Sequence, residues 1–205
     1  MITLAKPLSG GIVPVGATIA RPELVQAMLP GFSSRRHSST FAGNGLAMAV
    51  GLHALETLVE GGFDERARRD GEAGLARLRE IADRHPGLIR EARGAGMLFA
   101  LELRHVLRPG LLGGRAELAR LFASGLGVRS LHIAGVHANI SLAANGLVRI
   151  TPALDMPPNV QDELWTRVER FADRHPRAWR LAVSAGPVRL LKLAAIAGRG
   201  SPPKV

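Results

Sequence analysis

Leu4-Ala5-Lys6-Pro7-Leu8-Ser9-Gly10-Gly11 is the stretch on which the reading of this chain turns. An apolar, strand-like run reaches a lysine and then opens into a glycine-rich turn. A lysine at the end of a buried strand is desolvated, and desolvation favours the neutral amine, the form that acts as nucleophile and base. The chemistry open to such an amine is condensation with a carbonyl. Pro7 restricts Lys6 to extended geometry, which suits a strand end. Five residues come before Lys6, too few to build the rest of a pocket around it.

Composition narrows the alternatives. The 205 residues allow one large or two small domains, and a hydrophobic content of 46% provides for a real core. Aromatics make up only 4% and Tyr is absent, which leaves few platforms for stacking on single-stranded nucleic acid. The net charge is +10, but the basic residues are scattered rather than blocked, so neither nucleic acid nor membrane is expected as a partner. Without cysteine there are no disulfides, thiolate metal sites or cysteine nucleophiles. His132 and His137 have no carboxylate near them in sequence, and no metal site is read. The first residues lack the pattern of a signal peptide, so the expected location is the cytoplasm.

Residues outward from Lys6 form an α/β pattern. Ile12 to Ala20 is β-branched and broken by Pro and Gly, the mark of a strand after a loop, and Pro22 opens a short helix. Pro30 to Ser39 is a polar loop. Asn44 to Glu60 carries apolar residues at helical spacing, nearly all round at first, and is therefore predicted to be a buried helix ended by Gly61-Gly62. Asp64 is the predicted N-cap of a charged helix running to Arg84. Beyond it, Leu88–Arg90, Gly96–Leu103, Gly127–Ser130 and Leu147–Thr151 read as short strands separated by helices rather than hairpin turns. Glu117–Ser124 and Asn159–Arg174 read as helices. After Pro176 basic and apolar residues alternate with no acids, as in a docked or frayed terminal helix.

Four segments in order resemble the class III aminotransferases of the ornithine, acetylornithine and 4-aminobutyrate type. They are Thr3 to Gly11 with Pro14-Val15-Gly16-Ala17; His37-Ser38-Ser39-Thr40-Phe41-Ala42-Gly43-Asn44; Glu91-Ala92-Arg93-Gly94-Ala95-Gly96-Met97; and Leu147-Val148-Arg149-Ile150-Thr151-Pro152-Ala153-Leu154. Together they cover residues 1 to about 172. The resemblance implies a fold-type I pyridoxal-phosphate transferase: residues 1–84 as the end of the large cofactor domain, 85–176 as a small α+β domain, and 177–205 as a basic tail. It implies pyridoxal 5'-phosphate as cofactor, Lys6 as the Schiff-base lysine and proton shuttle, and Ser39 and Thr40 at the cofactor phosphate. In a homodimer, Thr40 would reach the neighbouring subunit's site. Arg149 would clamp the substrate carboxylate, with its guanidinium matched to the two oxygens. Arg93 is expected to be structural, His37 a solvated loop residue, and Gly10, Gly11 and Gly43 sites of close backbone approach. The implied reaction moves an amino group from an amino acid or ω-amine to a 2-oxo acid.

Against the family pattern, the segments that supply the glycine-rich phosphate loop, the ring-stacking aromatic and the aspartate at the pyridine nitrogen have no counterpart in these 205 residues. The chain therefore reads as a carboxyl-terminal half only, with no transamination expected of it alone and the helix over 46–60 left half uncovered. It would be a fragment of a longer frame, one half of a split enzyme whose amino-terminal half is a separate chain, or a non-catalytic remnant. In the last case it could serve as an interaction module that pairs with an intact aminotransferase.

Overall fold

The computed structural model describes residues 1–29, 39–106, 116–141 and 146–186. They fall into two compact units, Met1–Asp64 and the residues from Glu65 onward.

In the first unit, strand β1 (Ile2–Leu4) pairs antiparallel with β2 (Ala17–Ile19), with Thr3 opposite Thr18. Between them a single 3-10 turn spans Lys6–Ser9 and closes on Gly10, whose N–H donates to the Pro7 carbonyl at 2.8 Å. Helix α1 (Pro22–Met28) starts on its proline, and α2 (Gly45–Glu60) is capped by Asn44, whose side chain accepts the Ala47 N–H at 3.1 Å. Helix α2 packs on the 3-10 turn, where Gly51 lies against Leu8 and Val15. The burial read from this helix's apolar pattern is not found, and the uncovered helix expected from the missing family segments is found. Gly51 is its one buried residue, and Leu46, Leu52 and Val59 stand open on its surface, because among the described residues this unit has only a two-stranded sheet to cover it.

The second unit is a four-stranded antiparallel sheet, β3 (Ile89–Ala95), β4 (Leu98–Leu103), β6 (Leu147–Ile150) and β5 (Asn139–Ile140) in spatial order. Helices α3 (Phe63–Arg84), α4 (Ala116–Ile133), α5 (Pro158–Arg174) and α6 (Trp179–Ala185) accompany it. One sheet face carries Phe99, Leu101, Leu103, Val148 and Ile150 into a core completed by Leu78, Ile81, Leu131, Val168 and Phe171. Helix α3 reaches this core by giving up side chains. At Gly71 a Cβ would lie 2.4 Å from the Gly96 carbonyl oxygen, and at Gly74 it would lie 2.8 Å from the Trp165 ring. Trp165 then meets Phe99 edge-on at 5.0 Å. Arginines tie α3 to its neighbours: Arg77 donates to Glu169 at 2.8 Å and Arg84 to the same carboxylate. Asp70 accepts from Arg69 at 2.9 Å and from Gln161 at 3.2 Å.

Three further sequence expectations fail here. Gly127–Ser130 is helix, not strand: it continues α4, and the missing side chain at Gly127 lets that helix approach Leu103 and Val148. β3 and β4 form a hairpin, pairing Ala95 with Leu98 across Gly96-Met97, with Gly96 at φ +52°. Asp64 lies inside α3 rather than capping it. The helix after Pro176 is docked, with Leu181, Ala182 and Ala185 buried; the remaining tail, 187–205, lies outside the described residues. Among the described residues no single helix is long and apolar enough to cross a membrane.

Candidate active site

Lys6 begins the 3-10 turn at φ +56°, where a non-glycine residue costs about 1–3 kcal/mol. The extended geometry expected from Pro7 is therefore replaced by a left-handed one. The turn is held from within. The buried Ser9 hydroxyl donates to the Val13 carbonyl, and the Val13 N–H returns to Ser9 Oγ at 3.4 Å. This brace folds Gly10 and Gly11 into a loop at φ +65° and +81°. A Cβ at Gly10, Gly11 or Gly43 would meet nothing within 4 Å. These glycines serve left-handed backbone, and the close approach predicted for them is not made among the described residues.

The desolvation expected for Lys6 is also absent. Lys6 is exposed, and with Pro14, Val15 and Gly16 it lines an open recess of about 400 Å³. β1 is exposed at every position, and no layer among the described residues of its unit buries the lysine at its end.

Ser39 and Thr40 are exposed on the turns that lead to Asn44: the Ala42 N–H donates to the Ser39 carbonyl at 3.0 Å, and the Asn44 N–H to that of Phe41 at 3.3 Å. The helix start itself belongs to Asn44, four residues beyond Thr40. His37 and the arginines beside it lie outside the described residues.

Arg149 is the one exposed position of β6, on the sheet face away from the core. Among the described residues no carboxylate pairs with it; the acids of this sheet go to other arginines, Glu102 to Arg90 at 2.8 Å and Glu91 to Arg93 at 3.6 Å. The register sets Arg149 opposite Ala100 on one side and Asn139 on the other, and Ala100 in turn faces Arg93.

Sequence reasoning did not single out Ser9 or the glycine face of α3. A serine before a glycine pair and glycines three residues apart on a charged helix were the available signals. Neither has meaning until the packing partner is known.

A unit with a lysine-bearing turn is followed in sequence by an antiparallel α+β unit, and comparison with known proteins gives the class of protein in which these segments occur. The class-III aminotransferase family model matches residues 1–156. The chain belongs to that family. It is 40% identical to the ornithine aminotransferase of Bordetella pertussis over 129 residues, which is 63% of this chain and 28% of that protein. The Bordetella bronchiseptica ornithine aminotransferase matches over the same lengths with the same identity. Among solved structures, an ornithine aminotransferase from Toxoplasma gondii, described with partial occupancy of pyridoxal phosphate at its active site, superposes with a TM-score of 0.66. The identity is 27%, over 89% of this chain and 37% of that one. Acetylornithine aminotransferase from Elizabethkingia anophelis gives 0.65 at 25% identity, over 84% of this chain and 40% of its own. The chain thus spans 28% of the length of the curated relatives it matches.

Proposed function

We propose that this chain carries the lysine-bearing and carboxylate-binding portion of a pyridoxal-phosphate aminotransferase that moves an amino group from an amino acid or ω-amine to a 2-oxo acid. The observation that carries the reading is Lys6: a strained, left-handed lysine at the lip of an open recess, on a turn braced by Ser9, within a segment matched by the family model. Backbone strain persists only where its surroundings hold it, and it concentrates at functional positions.

The donor set suits the cofactor at two of its ends. The accessible Lys6 amine matches an aldehyde, and the Ser39 and Thr40 hydroxyls match a phosphate. When bound, pyridoxal phosphate supplies an electron sink for the carbon that bears the amino group. Lys6 would hold the cofactor and, once displaced, move the proton at that carbon. Arg149 would fix the substrate carboxylate through two parallel N–H donors. No residue of this chain is assigned to the ring nitrogen. That role, and the burial of Lys6, would come from polypeptide corresponding to the rest of the family's length. The family-domain boundaries at 84 and 176, set apart from the compact units that part after Asp64, and the dimer in which Thr40 serves the neighbouring site belong to the same proposal.

The test exploits composition. The chain has three lysines, Lys6, Lys192 and Lys204. Incubation with pyridoxal phosphate, borohydride reduction and peptide mapping should place the pyridoxyl mass on Lys6 in preference to the other two, and Lys6→Ala should remove it. Equal labelling of all three lysines would sink the reading.

The exposed apolar surface of the first unit favours a second reading. Ile2, Leu4, Ile19, Val25 and Met28 stand open there, together with the α2 side chains already named. An interaction module that docks on an intact aminotransferase would present such a surface. Co-expression with a full-length class III enzyme followed by size exclusion separates the readings: a stable mixed complex without lysine labelling supports the module.

A further inference from the structure

We infer that Arg93 is a second carboxylate-binding residue, gripping the same substrate carboxylate as Arg149 from the opposite side of Ala100. The inference rests on the role proposed above for Arg149. The sheet register places Arg93, Ala100, Arg149 and Asn139 in one row across β3, β4, β6 and β5. Phe99 and Leu101, which flank Ala100 on β4, both point into the core, so the row lies on the opposite face, where Arg93 and Arg149 are exposed.

Geometry and charge make this row a cradle for one anion. Arg93 and Arg149 stand two strands apart, roughly 9.6 Å between backbones. Side chains of one row project in parallel, so two guanidinia at this separation can each donate N–H bonds of about 2.8 Å to a carboxylate seated between them. Ala100 leaves the space between them open, since its methyl is the only side chain there. Two guanidinia on one face repel each other, and an anion between them relieves the repulsion.

Glu91 is the competitor. Its carboxylate lies 3.6 Å from Arg93 Nη1, with both side chains about half exposed, which makes an ion pair weak enough to exchange for a substrate carboxylate. Glu102, the other acid on this face, is engaged by Arg90.

The experiment titrates the 205-residue chain, labelled with ¹⁵N-arginine, with sodium pyruvate and, as a carboxylate-free control, acetone. The Nε–H resonances of Arg93 and Arg149 should move together along one binding curve and stay fixed with acetone. Arg93→Lys and Arg149→Lys should each weaken binding about tenfold, Glu91→Gln should tighten it, and Ala100→Leu should abolish it. Tryptophan fluorescence in urea checks that the variants fold. Movement of Arg149 alone, or an Arg93→Lys variant that binds like the parent, overturns the two-arginine site while leaving Arg149 as a single clamp. No binding at all overturns both arginine roles, and the lysine-labelling result stands apart from either outcome.

Discussion

The two units of this chain are built from similarly apolar sequence and end in opposite states. Among the described residues every buried hydrophobic side chain lies from Leu78 onward, whereas in the first unit the buried positions are Ser9 and Gly51. The second unit closes a core on itself: one sheet face, four helices and interlocked glycine contacts. The first has a hairpin, a turn and two helices, too few layers to hide the apolar faces they carry. The comparison teaches that the unit carrying Lys6 has no apolar interior among its described residues, while the unit carrying Arg149 has one of its own.

The sharpest way to break the contrast is Phe99→Ala. Phe99 is 1% exposed and meets Trp165, and its loss should cost about 3–5 kcal/mol. Both tryptophans, Trp165 and Trp179, lie in the second unit, so their fluorescence in urea reports its unfolding. A midpoint unchanged from the parent would refute the core assigned here. Gly71→Ala comes next. Alanine gains about 1 kcal/mol of helix propensity, but its Cβ would collide with the Gly96 backbone, and overpacking costs about 1–3 kcal/mol, so a net loss is expected in the same assay.

Smaller still is the Arg77–Glu169–Arg84 link between α3 and α5. The Arg84 hydrogen bond, above all, holds the Glu169 carboxyl below its ordinary range. A depressed carboxylate contributes stability that is present above its unfolded pKa of about 4.3 and is lost as pH falls through the folded value. Glu169→Gln should cost about 1 kcal/mol near neutral pH, after allowance for solvent screening, and should flatten the acid limb of the urea midpoint against pH. The least effect is expected at Leu52, 59% exposed on α2: Leu52→Ala should change stability by less than about 0.5 kcal/mol. The same substitution should weaken any complex with a full-length class III partner, which pull-down at matched concentrations would measure.

Local signals were legible where the deciding interaction is local. Helix periodicity placed α2 and α5 to within a residue, Pro22 marked the start of α1, and the apolar β-branched run placed β6. Gly127–Ser130 misled because glycine and β-branched valine disfavour a helix in isolation, while contact with Leu103 and Val148 rewards one. For the site, Lys6, Thr40 and Arg149 could be nominated from residue type and motif. The left-handed backbone at Lys6, the Ser9 brace and the row that sets Arg93 beside Arg149 depend on turns and strand register.

By itself the sequence determined which residues could do chemistry and where helices begin, because side-chain chemistry and capping act within a few residues. It also determined membership of the family, carried by ordered segments. Tertiary structure alone decided which apolar faces of the second unit are covered, that Lys6 stands exposed on a left-handed turn, and that two arginines distant in sequence share one row. Burial and register depend on partners far along the polypeptide, and no local pattern encodes whether such a partner is there.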